Sequence, residues 1–160
     1  MKPFRRILVL LDGSDTSRKA LVAALQIARD AGGRVQLLHV FDELGSLNGF
    51  ESSGQIAGLA HDYGAKVLAQ GAEIAQAAGV EHDERLLEES GRGLGQVVAD
   101  AARDWDADLL VVGSHGRRGF DRLVLGSGAE KIIRQATVPV LVIRGSDDAA
   151  STNRPAIKAT

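Results

Sequence analysis

The sequence predicts an α/β domain: an open five-stranded parallel sheet, order 3-2-1-4-5, with helices on both faces. Three observations predict it. Along the 160 residues, short apolar runs alternate strictly with segments whose apolar residues recur at helical spacing, the pattern of parallel strands joined by crossover helices. The third candidate strand is short and charged, which suits a sheet edge. Pro139 falls inside the fifth, and proline lacks the N–H that a central ladder needs. With edges at strands 3 and 5, right-handed crossovers favour the stated order.

Each element has its own signal. Arg6–Leu11 (RILVLL) is a near-continuous apolar run, as expected of a strand buried on both faces. Asp12-Gly13-Ser14-Asp15 breaks it and offers Ser14 or Asp15 as a helix N-cap. Leu21, Ala24, Leu25 and Ala28 then trace one helical face until Gly32-Gly33. Val35–Phe41 (VQLLHVF) reads as strand 2, and the polar Asp42–Gly58 stretch as a long loop. From about Leu59, the series Tyr63, Val67, Gly71, Ile74, Ala78 steps by roughly one turn, closed by Gly79.

Strand 3 is placed near Glu84–Glu88 on a weak signal. Leu94, Val97, Val98, Ala101, Ala102 and Trp105 form a clear helical stripe. Leu109–Val112 is strand 4, Ala129–Ala136 the last helix and Val138–Ile143 strand 5. The domain is therefore taken as residues 1–144. A polar tail, 145–160, is expected to be disordered.

Composition narrows the function classes. A formal charge of −2 argues against broad electrostatic binding to nucleic acid or anionic membrane, and Arg117-Arg118 is too short to indicate nucleic-acid binding. The absence of cysteine excludes disulfides, thiol catalysis and cysteine metal sites. The Ile7–Leu11 run after Arg5-Arg6 is too short for a signal peptide, and no span approaches membrane length. A soluble, cytoplasmic protein is the expectation.

The predicted order also points to a site. Chain direction reverses between strands 1 and 4, and ligands of such sheets bind at the carboxyl ends of the strands beside that reversal. There sit Leu11-Asp12-Gly13 and Val112-Gly113-Ser114-His115-Gly116, the latter opening the glycine-rich crossing to Gly126-Ser127-Gly128. Glycines let successive N–H groups converge on an anion, and a helix N-terminus adds orphan donors and a favourable dipole. Ser127-Gly-Ala-Glu130 equally fits a capping box that would satisfy those donors internally, and Glu130 would oppose a polyphosphate unless a cation or Arg117 and Arg118 offset it. The pattern leaves both readings standing. Neither GxxxxGK[ST] nor GxGxxG is present at this crossing.

Gly113-x2-Gly116-x9-Gly126-Ser127 resembles the G-2x-G-9x-G-S/T signature of the ATP-binding branch of the universal stress protein family. The resemblance runs over Phe4–Arg144 and includes LDGSDxS (Leu11–Ser17), DLLVVGSHG (Asp108–Gly116) and VPVLVIR (Val138–Arg144). It implies a Rossmann-like fold, of the adenine nucleotide alpha hydrolase-like kind, holding ATP at the reversal point, with Mg or Mn carried mainly by the phosphates. By position it places Leu11 and Asp12 near adenine and ribose, Val40 beside the base, and Val112 and Gly113 along the base and sugar. His115 and Gly116 would approach ribose and phosphates, Gly126, Ser127, Gly128 and Ala129 would wrap the phosphates, and Arg117 could close over them.

Two departures temper the match. Ala129 stands where ATP-binding relatives often carry a hydroxyl, a loss worth about 1 kcal/mol net. Gly91-Arg92-Gly93 replaces the usual Gly-x-Pro turn.

Other candidates read more simply. Asp12 also suits a plain Asp-Gly turn, although its place at the reversal favours a ligand role. His39, His61 and His82 lack metal-ligand spacing, and Trp105 and Tyr63 fall on packing stripes. Val138, Pro139, Val140, Leu141, Val142 and Ile143 would be an exposed apolar edge unless covered, which favours a homodimer through strand 5, the family's usual pairing. Three functions compete: an ATP-binding dimeric stress-response module acting through an unknown protein partner; an enzyme that hydrolyses ATP or transfers its nucleotidyl group, with Asp12 and His115 the only candidate groups; and a nucleotide-independent interaction dimer using the 42–58 loop.

Overall fold

A computed structural model describes residues 1–42, 53–115 and 125–145. The elements run β1 (Arg6–Leu10), α1 (Asp15–Ala31), β2 (Arg34–Phe41), α2 (Ser53–Ala77), β3 (Glu81–Glu88), α3 (Leu94–Asp104), β4 (Leu109–Gly113), α4 (Ser127–Gln135) and β5 (Val140–Ile143). All strand pairs are parallel, and the sheet order is β3-β2-β1-β4-β5, as expected.

Alternation along β1 sorts the core into two layers, because successive strand side chains point to opposite faces. Ile7, Val9 and Leu11 join a cluster with Ala20, Leu21 and Ala24 of α1 and Val67 and Leu68 of α2. Leu8 joins the other, with Val98, Ala101 and Ala102 of α3 and Ile132 of α4. Helices therefore cover both faces. The apolar runs that signalled buried strands are buried: Ile7, Leu8, Val9, Leu110 and Val111 are fully inaccessible. Among the described residues no helix is long and apolar enough to cross a membrane.

The caps of α1 follow the sequence signals. Ser14 is the N-cap, its Oγ accepting from Ser17 N at 3.1 Å. Gly32 closes the helix at φ 62°, a left-handed C-cap that glycine adopts without a Cβ penalty.

Four boundaries differ notably from expectation. Helix α2 begins at Ser53, inside the segment read as a loop to Gly58, because Ser53–Gly58 carries no apolar period. Strand β3 begins at Glu81 and pairs with β2 over eight positions, so it is not short. Its charged start is accommodated by Arg34, which meets Glu81 at 3.2 Å and Asp83 at 3.4 Å, and by Gln36 Nε2, which donates to Asp83 at 3.0 Å. Pro139 precedes β5 rather than lying in it, giving only its carbonyl to Leu110 N at 3.0 Å. The edge position of β5 stands, but proline inside the strand is not its reason. Helix α4 starts two residues earlier than Ala129. Most of the 42–58 loop, and residues 146–160 of the expected tail, lie outside the described residues.

Candidate functional site

The segment leaving β1 turns at once. Leu11 N donates to Leu38 O at 2.8 Å, Asp12 Oδ1 accepts from Ser14 N at 2.9 Å, and Gly13 takes φ 85°. Asp12 thus fills the turn role that its Asp-Gly pair suggests, an Asx turn, while also standing on a cleft wall.

Across the reversal, Ser114 N donates to Ile143 O at 2.8 Å as the chain leaves β4. Gly126 N then donates to Ser114 O at 2.7 Å, so the two ends of the glycine-rich crossing are bonded to each other. A Cβ on Gly126 would lie 2.9 Å from that same Ser114 oxygen. One on Gly113 would lie 2.9 Å from Thr16 Cγ2 in α1, and one on Gly128 3.3 Å from Leu94 Cδ2. The glycines at 113 and 126 are therefore required first by the protein's own close packing.

Around the carboxyl ends of β1 and β4 this geometry leaves a cleft of about 420 Å³, within the usual size of small-molecule sites. It brings together Leu11, Asp12 and Val40 from one side and Val112, Gly113 and His115 from the other. Gly126, Ser127, Gly128 and Ala129 form its end wall. Gly116 and Arg117, the remaining two residues singled out by the resemblance, lie outside the described residues.

Leu10, Ser17, Leu94 and Ile132 also line the cleft and were not singled out from sequence. Leu94 lies on the apolar stripe of α3, and Ser17 closes the LDGSDxS segment, so both carried a signal that the packing reading absorbed. Ile132 is fully buried in the α3/α4 core cluster, and its apolar patterning pointed to packing alone.

The end wall decides one ambiguity. The N-cap of α4 is Gly126, with no side-chain cap hydrogen bond, and Ser127 is already the first helical residue. No capping box forms. Glu130 turns along the helix to Arg134, its Oε1 accepting from Nη2 at 2.8 Å and from Nε at 3.2 Å. Residues 126–129 line the cleft, so the first turn of α4 lies beside it with no side-chain cap among the described residues, and the helix dipole favours an anion there. None of the described lining residues is Lys or Arg, and Asp12 is the single carboxylate among them.

His115 supplies the other polar feature. Its Nδ1 shares a 2.9 Å hydrogen bond with Ser114 Oγ, a residue the sequence reading passed over. Its Nε2 is buried with no partner among the described residues, and a buried polar atom left so costs about 1–3 kcal/mol. Ala129 is nearly buried in the wall, offering a methyl and a backbone N–H where a hydroxyl could have stood.

The second sequence departure also has a structural form. Gly93 caps α3 at φ 86°, with Gly91 at 73°, and proline cannot adopt a positive φ. The loop follows a path closed to a Gly-x-Pro turn.

The other histidines are used locally: His39 Nδ1 donates to Leu11 O at 2.7 Å, and His82 Nδ1 to Val80 O at 3.1 Å. Among the described residues no group of three or more His, Cys, Asp or Glu is placed to hold a metal. Trp105 is half-buried, its ring 4.3 Å from the Arg6 guanidinium and its Nε1 donating to Asp83 at 3.2 Å.

The chain can be compared with known proteins on this geometry. A sequence model of the universal stress protein family matches residues 3–144. A universal stress protein of Methanocaldococcus jannaschii is 32% identical over 144 residues, 88% of this chain and 82% of that protein. A crystal structure from the same family in Burkholderia pseudomallei superposes with a TM-score of 0.74 at 31% identity, over 91% of this chain and 99% of the other. A universal stress protein of Archaeoglobus fulgidus solved in complex with dAMP superposes with a TM-score of 0.63 at 25% identity, over 90% of this chain and all of the other.

Proposed function

The chain belongs to the universal stress protein family, and from that premise we propose that it is an ATP-binding, homodimeric module of the stress response. It acts through nucleotide occupancy and a protein partner in the cytoplasm. The observation that carries the nucleotide reading is the uncapped N-terminus of α4 opening on the cleft at the reversal point. Phosphate supplies the acceptors those N–H groups lack. The dAMP complex of the Archaeoglobus fulgidus relative supports an adenine nucleotide as the ligand.

In this reading Val40 and Val112 pack the base, with Leu11, Asp12 and Gly113 along base and ribose. His115 and Gly116 approach ribose and phosphates, Gly126, Ser127, Gly128 and Ala129 bind the phosphates, and Arg117 closes over them. Mg or Mn is carried mainly by the phosphates, consistent with a described donor set that offers Asp12 alone as a carboxylate in the cleft. Dimerisation through Val138–Ile143 would cover β5, an edge strand whose four residues are only half-buried.

Mass spectrometry of ligand released from the purified protein, with calorimetric titration of ATP, tests the reading. Bound or titratable ATP is the expected result. No nucleotide in either measurement would leave the nucleotide-independent interaction dimer ahead.

One observation favours an enzymatic reading, the Ser114–His115 hydrogen bond beside the buried Nε2. Steady ATP turnover that is lost in His115→Ala would establish it; turnover at background would leave binding as the function.

A further inference from the structure

Two successive carbonyls of the cleft wall are held from outside the cleft. Tyr63 of α2 donates its phenolic hydrogen to Asp12 O at 3.0 Å, and His39 of β2 donates to Leu11 O at 2.7 Å. The two rings meet edge to face, with centroids 6.0 Å apart.

Three glycines allow this approach. A Cβ on Gly13 would lie 2.2 Å from the Tyr63 hydroxyl. One on Gly64, the residue after Tyr63, would lie 2.6 Å from His39 Cδ2, and one on Gly71 2.6 Å from Leu11 Cδ1. Helix α2 therefore rests directly on the Leu11–Gly13 segment and on the histidine that holds it. A small open indentation of about 30 Å³ lies beside that segment, between Ser14 and Ser17 on one side and Val67 and Gln70 on the other.

We propose that Tyr63 is a positioning residue coupling this cleft wall to α2, so that occupancy of the cleft changes the order of α2. The wall moves as a peptide unit, and the Asp12 carbonyl carries its displacement to the Tyr63 hydroxyl. Helix α2 is then the element that presents the state of the site to a partner. This rests on the nucleotide reading of the cleft.

Hydrogen exchange read by mass spectrometry on the full chain tests it, comparing the native protein with Tyr63→Phe, which keeps the ring and removes the hydroxyl. Without nucleotide, the variant should exchange about fivefold faster both in the Ser14–Ser17 turn and in α2 around position 63, the factor that one net hydrogen bond corresponds to. Residues 97–102 of α3 should be unchanged, which a general loss of stability would not allow. Equal exchange in the turn, or faster exchange everywhere alike, overturns the coupling whether or not a nucleotide binds.

With saturating ATP, the native protein should gain protection in both α4 and α2. Tyr63→Phe should bind ATP with affinity lowered by up to about fivefold, the factor that one net hydrogen bond corresponds to, because the coupling is reciprocal, and protect α4 alone. Equal ATP-induced protection of α2 in both proteins overturns the proposal. Absence of ATP binding to the native protein by calorimetry overturns the nucleotide reading instead, and the ligand-free comparison then decides the coupling.

Discussion

Replacing Gly126 with alanine perturbs the point where the two ends of the crossing meet. The backbone there, at φ −61° and ψ 151°, suits any residue, so conformational strain does not enter. The new Cβ would stand 2.9 Å from Ser114 O and 3.5 Å from His115 Cα. The nearest atom is backbone, so it cannot rotate away, and the Gly126 N to Ser114 O hydrogen bond at 2.7 Å must lengthen. Overpacking of this kind costs about 1–3 kcal/mol, against about 0.4–1 kcal/mol regained from a stiffer unfolded chain. The net loss is about 1–2 kcal/mol, or roughly 3–6 °C in Tm for a domain of this size. In the proposed nucleotide reading α4 carries the phosphate donors, so their displacement should also weaken ATP at least about tenfold, the equivalent of 1.4 kcal/mol. Thermal melts by circular dichroism and calorimetric titration measure the two effects. Gly128→Ala is the control, since its Cβ would meet only the movable Leu94 Cδ2 at 3.3 Å; it should be neutral or stabilise slightly. A Gly126→Ala protein that melts and binds like the native one would refute the argument that this close contact sets the end wall.

Ser127→Ala separates a ligand role from a capping role. Since Ser127 makes no cap hydrogen bond, its melting temperature should stay within about 1–2 °C, where loss of a true N-cap would cost about 1 kcal/mol, while ATP affinity falls. Ser14→Ala removes a cap that does form, accepting from Ser17 N at 3.1 Å, and should lower Tm by about 2–4 °C. Asp108→Ala removes the carboxylate that accepts from Arg5 N at 2.9 Å and Arg6 N at 3.0 Å; denaturant unfolding should show a loss of about 1–3 kcal/mol with an unchanged m-value. A loss below about 0.5 kcal/mol there would mean that solvent serves the Arg5 and Arg6 amides equally well.

Much of the fold was legible because its signals are local. RILVLL, VQLLHV and LLVV are apolar without interruption since both faces of their strands are covered, and the helix between the first two carries Ser14 and Gly32 at its ends. The location of the cleft followed from strand order alone. What escaped was set by partners distant in the chain. Strand β3 reaches Glu81 because β2 supplies the ladder and Arg34 the countercharge, neither visible in EHDERLLE. Helix α2 starts at Ser53 in a segment with no apolar period of its own.

By itself, then, the sequence determined the alternating architecture and pointed to the strand order with its reversal point, although neither a short β3 nor a proline inside β5 proved to be the reason for the edges. Tertiary structure alone decided what the glycines are for. Gly13 makes way for Tyr63, Gly113 for Thr16 and Gly126 for the Ser114 carbonyl. It also decided between capping box and open helix end, because Ser127 falls one residue inside the helix and Glu130 finds Arg134. The physical reason is the same in each case. A glycine announces that something approaches closely, but the approaching atom, within 3 Å of where a Cβ would stand, belongs to a segment that only folding brings there.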